Sequence, residues 1–302
     1  MLFRSSTSYD MFVDHWNYDE ISENCLCLNI WTQGIADGKK RPVVVWLHGG
    51  GFTRGNGIEQ DGYNGENITR YGDIVYCSIN HRLGVFGFTD LSAFGEKYKD
   101  SGNAGLLDMV AAIRWIHDNI ANFGGDPDNV TVIGQSGGGA KVCLLAAMPE
   151  MRGLIHKGVA LSGSTIRANK PEYSRLLGEY ILREAGLSAT EIDKLQDMPW
   201  RDYMELAYRA SARMEREEGA SGMVRGNFGP IEDGVHLPQE KFFRSSSSLD
   251  IPMIFCTTFH EWGVNRADST QEMITAAQAI EQLSEHYGEK AKYIYNAYSR
   301  NF

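Results

Sequence analysis

Nothing in this chain restricts its fold more than Val130-Thr131-Val132-Ile133-Gly134-Gln135-Ser136-Gly137-Gly138, a β-branched run that breaks at a G-x-S-x-G and passes into the helical pattern of Ala140 to Ala147. A strand turning sharply into a helix pushes Ser136 into a strained backbone conformation. Gly134 and Gly138 let the neighbouring main chains approach without a Cβ clash. The hydroxyl then stands proud of the sheet at a helix N-terminus, where it is a candidate nucleophile. With 33 glycines in the chain the bare pattern is weak; the strand before it and the helix after it give it weight.

Short apolar runs alternate with longer helical patterns, the mark of βαβ units and a mostly parallel central sheet with helices on both faces. The expected strands are Cys27 to Trp31, Val43 to His48, Ile74 to Ile79, Val130 to Gly134, Gly158 to Ser162 and Pro252 to Thr257. Leu106, Val110, Ile113, Ile116, Ile120 and Phe123 recur at steps of three and four, so they predict a helix packed on that sheet. From about Ile166 to Arg244 the texture changes to charged helical segments, Glu172 to Glu184 and Arg201 to Glu218. Residues 166–244 therefore read as a helical cap inserted into one α/β domain spanning 1–302, with Ser245 to Ser248 as a link to the last strand.

A chain of 302 residues with 42% apolar residues suffices for one large α/β core. No run approaches the roughly 20 apolar residues of a membrane span. The net charge of −10, from 39 acidic against 29 basic residues, argues against nucleic acid as a partner. Five cysteines, mostly inside apolar runs, give neither a disulfide framework nor a zinc spacing, and Cys25 and Cys27 would point alongside each other rather than together. Met1 to Ser6 lacks the apolar core of a signal peptide, which favours the cytoplasm. No metal or cofactor motif is present. The sequence is silent on oligomeric state.

A serine nucleophile needs a base, and the tetrahedral oxyanion it creates needs preorganised N–H donors. Val43 to Leu47 runs into His48-Gly49-Gly50-Gly51-Phe52, a strand followed by three unhindered backbone amides. Gly50 and Gly51 would supply two donors and Gly137, the residue after the nucleophile, the third.

These segments, together with Ser78 to Phe88, Gly102 to Asp108 and Phe123 to Pro127, resemble the type-B carboxylesterases, the group of α/β-hydrolases that contains the cholinesterases. The likeness is collinear and extends to Ser22 to Trp31 upstream and to Leu161 to Ser164 and Phe228 to Gly234 downstream. It implies an α/β-hydrolase fold and a carboxylic ester hydrolase working through an acyl-serine on small-molecule esters, with no cofactor.

The triad acid should stand just past the C-terminal end of a later strand, where it can hold a histidine in its productive tautomer. Glu261, after Ile254 to Thr257, occupies such a position, and the resemblance implies a glutamate in that segment. Asp268 is the runner-up. Ser162 resembles the family's serine that hydrogen-bonds the triad acid, and equally reads as a plain turn serine. The family's base lies far downstream of the acid, beyond Phe302, so none of the eight histidines matches it. His48 lies in the glycine loop, His81 replaces the usual tyrosine, His117 lies on a polar helix side, His286 lies in a helical pattern, and His260 adjoins Glu261.

From this the chain is expected to be a fragment of a longer esterase, truncated at both ends, with an apolar sheet edge left exposed. Its alternative function is a catalytically incomplete fragment, or a non-catalytic cholinesterase-like binding domain lacking the triad histidine. An amidase or lactonase on the same scaffold is a third reading. Three departures from the family pattern bear on mechanism. Gln135 replaces the usual glutamate, which disfavours cationic choline esters; Gly137 replaces the usual alanine; and Asn24 stands where aspartate is typical. Cys25 matches a cysteine that is disulfide-bonded in secreted relatives, without an upstream partner here.

Overall fold

The computed structural model describes residues 22–218, 228–246, 248–258, 261 and 274–299. Two compact units divide the chain, one up to Thr257 and one from Thr258 onward. Six strands build the sheet of the first unit: β1 (Leu28–Trp31), β2 (Arg41–Leu47), β3 (Val75–Ile79), β4 (Gly125–Gln135), β5 (Lys157–Leu161) and β6 (Met253–Cys256). All six expected strands form. Their order is β1-β3-β2-β4-β5-β6, parallel throughout except for β1, which pairs antiparallel with β3.

The strand sequences account for this arrangement. β3 is buried along its whole length, as a strand covered on both faces requires, while in β2 and β4 the face carrying Val43, Val45, Leu47, Val130 and Val132 is at most 1% exposed and the other face is partly open. β4 begins five residues earlier than its β-branched run, because Gly125 pairs with Arg41 across a register shift in β2. The Arg41 guanidinium is itself held by Asp37 and Asp73. β6 pairs with β5 alone among the described residues, and its Ile254 and Phe255 stay exposed.

The helices of this unit are α1 (Glu66–Gly72), α2 (Val85–Phe88), α3 (Ala104–Asn119), α4 (Gly137–Ala147), α5 (Pro171–Ala185) and α6 (Trp200–Glu218). On α3 the stripe of Leu106, Met109, Ile113 and Ile116 is fully buried, each side chain contributing roughly 1.5–3 kcal/mol of transfer free energy. Every residue of α4 is buried, so this helix is a core element rather than a surface one. Helices α5 and α6 pack on each other. In the second unit, α7 (Ala276–Tyr287) and α8 (Ala291–Ser299) pack together, α7 opening on a capping box in which Thr275 and Gln278 satisfy each other's backbone donors.

Candidate active site

The chain leaves β2 toward β3 on one side and reaches β4 on the other, so the strand order reverses between β2 and β4. In open α/β sheets, ligands bind at the carboxyl ends of the strands at such a switch point. Leu47 pairs with Gly134, which brings the glycine loop after β2 and the turn after β4 out of the sheet at the same level.

Ser136 caps α4 with φ 57° and ψ −123°, a region that only glycine visits freely. The packing around it enforces that conformation. The Ser136 N–H donates to the Leu161 carbonyl at 2.8 Å, and a Cβ on Gly138 would stand 2.0 Å from the Leu47 carbonyl oxygen. An ordinary N-cap serine spends its oxygen on the first helical N–H groups. Ser136 makes no side-chain cap bond, so its hydroxyl is not committed to the helix.

Gly50 and Gly51 both have positive φ, 79° and 64°, which turns their amides in a way a side-chain-bearing residue resists. The third candidate donor lies against them: a Cβ on Gly137 would sit 2.4 Å from Gly51 Cα and 2.5 Å from Gly51 N. The two backbones are therefore in direct contact. The absence of a side chain at Gly137 lets the glycine loop lie directly against the elbow. Gly137→Ala is expected to push Gly51 outward by about 1 Å and to lower stability by about 1–3 kcal/mol. Chemical unfolding of both proteins would check this, and equal midpoints would refute it.

The first unit by itself thus brings together Ser136, Gly50, Gly51, Gly137 and Ser162. Ser162 follows β5 at φ 50°, and its N–H donates to the Cys256 carbonyl at 2.7 Å. Glu261 belongs to the second unit, where its carboxylate accepts from the Thr258 N–H at 2.9 Å. Asp268 and His260 lie outside the described residues. No histidine side chain bonds to Ser136 among the described residues. His48 and His81 are buried and stacked, ring centroids 5.0 Å apart. His117 bonds Asp118, and His156 accepts from the Val130 N–H. His286 lies within α7.

The Carboxylesterase family model matches residues 4–301. The chain belongs to the carboxylesterase family. It is 37% identical over 242 residues to the para-nitrobenzyl esterase of Bacillus subtilis (strain 168), covering 80% of this chain and 47% of that protein. Against the phenmedipham hydrolase of Pseudarthrobacter oxydans it is 33% identical, covering 92% of this chain and 53% of the relative. Among solved structures, an esterase from anaerobic Clostridium hathewayi that can hydrolyze aliphatic aromatic polyesters superposes with a TM-score of 0.76 at 36% identity, over 96% of this chain and 57% of that one. This carboxylesterase-family chain spans about half the length of the curated relatives it matches, and its fold is that of the α/β-hydrolases.

Several of the family-like motifs turn out to be partners of one another. Arg82 clamps Asp108 through Nε at 2.8 Å and Nη2 at 2.7 Å, tying the segment after β3 to α3. Asn103 donates to the Ile231 carbonyl and to Asp233 and accepts from the Ile231 N–H, tying the start of α3 to the Phe228 to Gly234 motif. The buried Glu232 takes a two-pronged contact from Arg167 and the Ala168 N–H at 2.9 Å.

His236 is a functional-looking histidine without a sequence signal. It sits between Glu150, on its Nδ1, and Asp100, 3.2 Å from its Nε2. Burial works against its charge, but the hydrogen bonds to Glu150 and Asp100 outweigh it and hold its pKa above the ordinary 6.5. A raised histidine stabilises the fold fully below its unfolded pKa and loses that contribution as pH rises through the folded value. His236→Gln is therefore expected to cost about 1 kcal/mol at pH 6, discounted for the solvent around the ring, and nothing at pH 9. Paired unfolding curves for both proteins at the two pH values measure this; an equal penalty at both would refute it.

Proposed function

We propose that the protein hydrolyses small-molecule carboxylic esters through an acyl-serine intermediate. The observation that supports this most strongly is the strained, uncapped Ser136 set against the glycine loop at the sheet's switch point. In this reading Ser136 Oγ attacks the ester carbonyl while its proton passes to a histidine base, a role that none of the histidines bonded among the described residues fills. The N–H groups of Gly50, Gly51 and Gly137 carry the oxyanion, the alcohol leaves with the proton, and water then releases the acid. Glu261 is the acid assigned to orient that base. Every step moves an acyl group or a proton, so the scheme needs no metal.

Gln135, exposed beside the nucleophile, brings no negative charge to the site, which favours uncharged esters over choline esters. The relatives named as esterases of para-nitrobenzyl and polyester substrates agree with this preference. The test is hydrolysis of p-nitrophenyl acetate and butyrate, with mass spectrometry for a fluorophosphonate adduct. An adduct on Ser136 with turnover is expected. A folded protein giving neither would support the second reading, a non-catalytic binding domain, which rests on the absence of a histidine bonded to Ser136 among the described residues.

A further inference from the structure

Lys141 lies one turn into α4, the helix that Ser136 opens, and its side chain is completely buried. Its Nζ donates to the His48 carbonyl at 2.9 Å and stands 5.8 Å from the centroid of the Phe52 ring. Those two residues flank the Gly49-Gly50-Gly51 loop, so one ammonium grips both shoulders of it. The grip continues one peptide further. His48 Nδ1 lies 2.9 Å from the Gly49 carbonyl oxygen, which can only accept, so Nδ1 carries the proton. The peptide unit that presents Gly49 O to the ring presents the Gly50 N–H on its opposite side, because the unit is planar and trans. Fixing His48 therefore aims the Gly50 amide.

We propose that Lys141 is a positioning residue for the oxyanion hole, holding the glycine loop in register with the nucleophile from the nucleophile's own helix. This deepens the ester-hydrolase reading and rests on it. A buried ammonium is expensive to keep, and a methionine would fill the same space. No ion pair to Lys141 forms among the described residues, and burial lowers its pKa to about 7, with Glu59 opposing the shift by charge. The titratable groups that face it are Glu59, from the loop after the glycines, His48 at the end of β2 and His81 after β3. Both imidazoles are kept neutral by burial first and by the Lys141 charge second, and their Nε2 atoms are buried without a partner.

Lys141→Met is expected to lower kcat about 10–100-fold with KM within about two-fold, and to remove the alkaline limb expected in the native pH profile. A merely structural lysine would give a lowered unfolding midpoint without that split. A folded variant with native kcat and the alkaline limb intact would overturn the proposal. Should the variant fail to fold, the native protein decides: in ¹⁵N-glycine, ¹⁵N-lysine samples the Gly50 and Gly51 amide shifts are expected to titrate together with Lys141 Nζ, and amides that stay fixed through that titration would overturn it. Absence of fluorophosphonate labelling on native Ser136 would sink the ester-hydrolase reading, while the amide titration would still report on the lysine's hold.

Discussion

Ser136→Ala is expected to reduce turnover of p-nitrophenyl esters by about 10⁶-fold and to abolish the fluorophosphonate adduct, because the acyl-serine and the adduct both form on the hydroxyl that alanine lacks. Its effect on stability should be small. Alanine inherits the same φ of 57° and ψ of −123°, so the backbone strain stays in place. Ser136→Gly provides the control. Glycine adopts that conformation without strain, and the variant should be about 1–2 kcal/mol more stable than the alanine variant, some 2–4 °C in unfolding midpoint. Both should be equally inactive. Retained turnover in either would place the nucleophile elsewhere, and equal midpoints would show that the elbow stores no strain.

The second large effect is expected at Glu261. A triad carboxylate selects the imidazole tautomer that can accept the serine proton and stabilises the imidazolium that follows, and its replacement by an amide leaves the geometry but spoils that selection. Glu261→Gln should therefore lower kcat by about 10⁴-fold with KM within about two-fold. Asp268→Asn, in the same stretch after β6, should leave kcat within about two-fold. The reverse result, a silent Glu261 and an inactive Asp268 variant, would move the acid. A loss confined to KM in the Glu261 variant would instead make it a substrate contact.

The stability consequences of Lys141 and His236 run in opposite directions, which matters for any pH-dependent unfolding experiment. A lysine whose folded pKa is about 7 binds fewer protons when folded than when unfolded over the range from there to about 10.5, so its contribution favours the fold increasingly as pH rises. His236 loses its contribution over a range starting near 6.5. Comparing each variant with the native protein at the same pH separates the two.

Local patterns carried most of the architecture. The β-branched runs at Val43 to Leu47, Val75 to Ile79 and Val130 to Ile133 form strands, and the stripe from Leu106 to Ile116 is the buried face of α3. These are near-neighbour signals, where residue type and spacing alone decide which face can be buried. The start of β4 was not legible, because Asp126-Pro127-Asp128 has turn chemistry and joins the strand through pairing with the distant Arg41. For the site, the elbow and the glycine loop were readable from their own residues. The significance of Lys141 and His236 was not: Lys141 stands in an otherwise apolar helical run, and His236 in an unremarkable loop.

By itself, then, the sequence determined the strands, the packed helices, the sharp turn at Ser136 and the run of glycines after β2, since each follows from the conformational limits of adjacent residues. Tertiary structure alone decided that Gly51 touches Gly137, that Arg82 meets Asp108 and Asn103 meets Ile231, and that a lysine on the nucleophile's helix holds the carbonyl of His48. Those contacts join residues far apart in the chain, and their partners are chosen by the order and register of strands in the sheet, a property of the folded whole that no local pattern encodes.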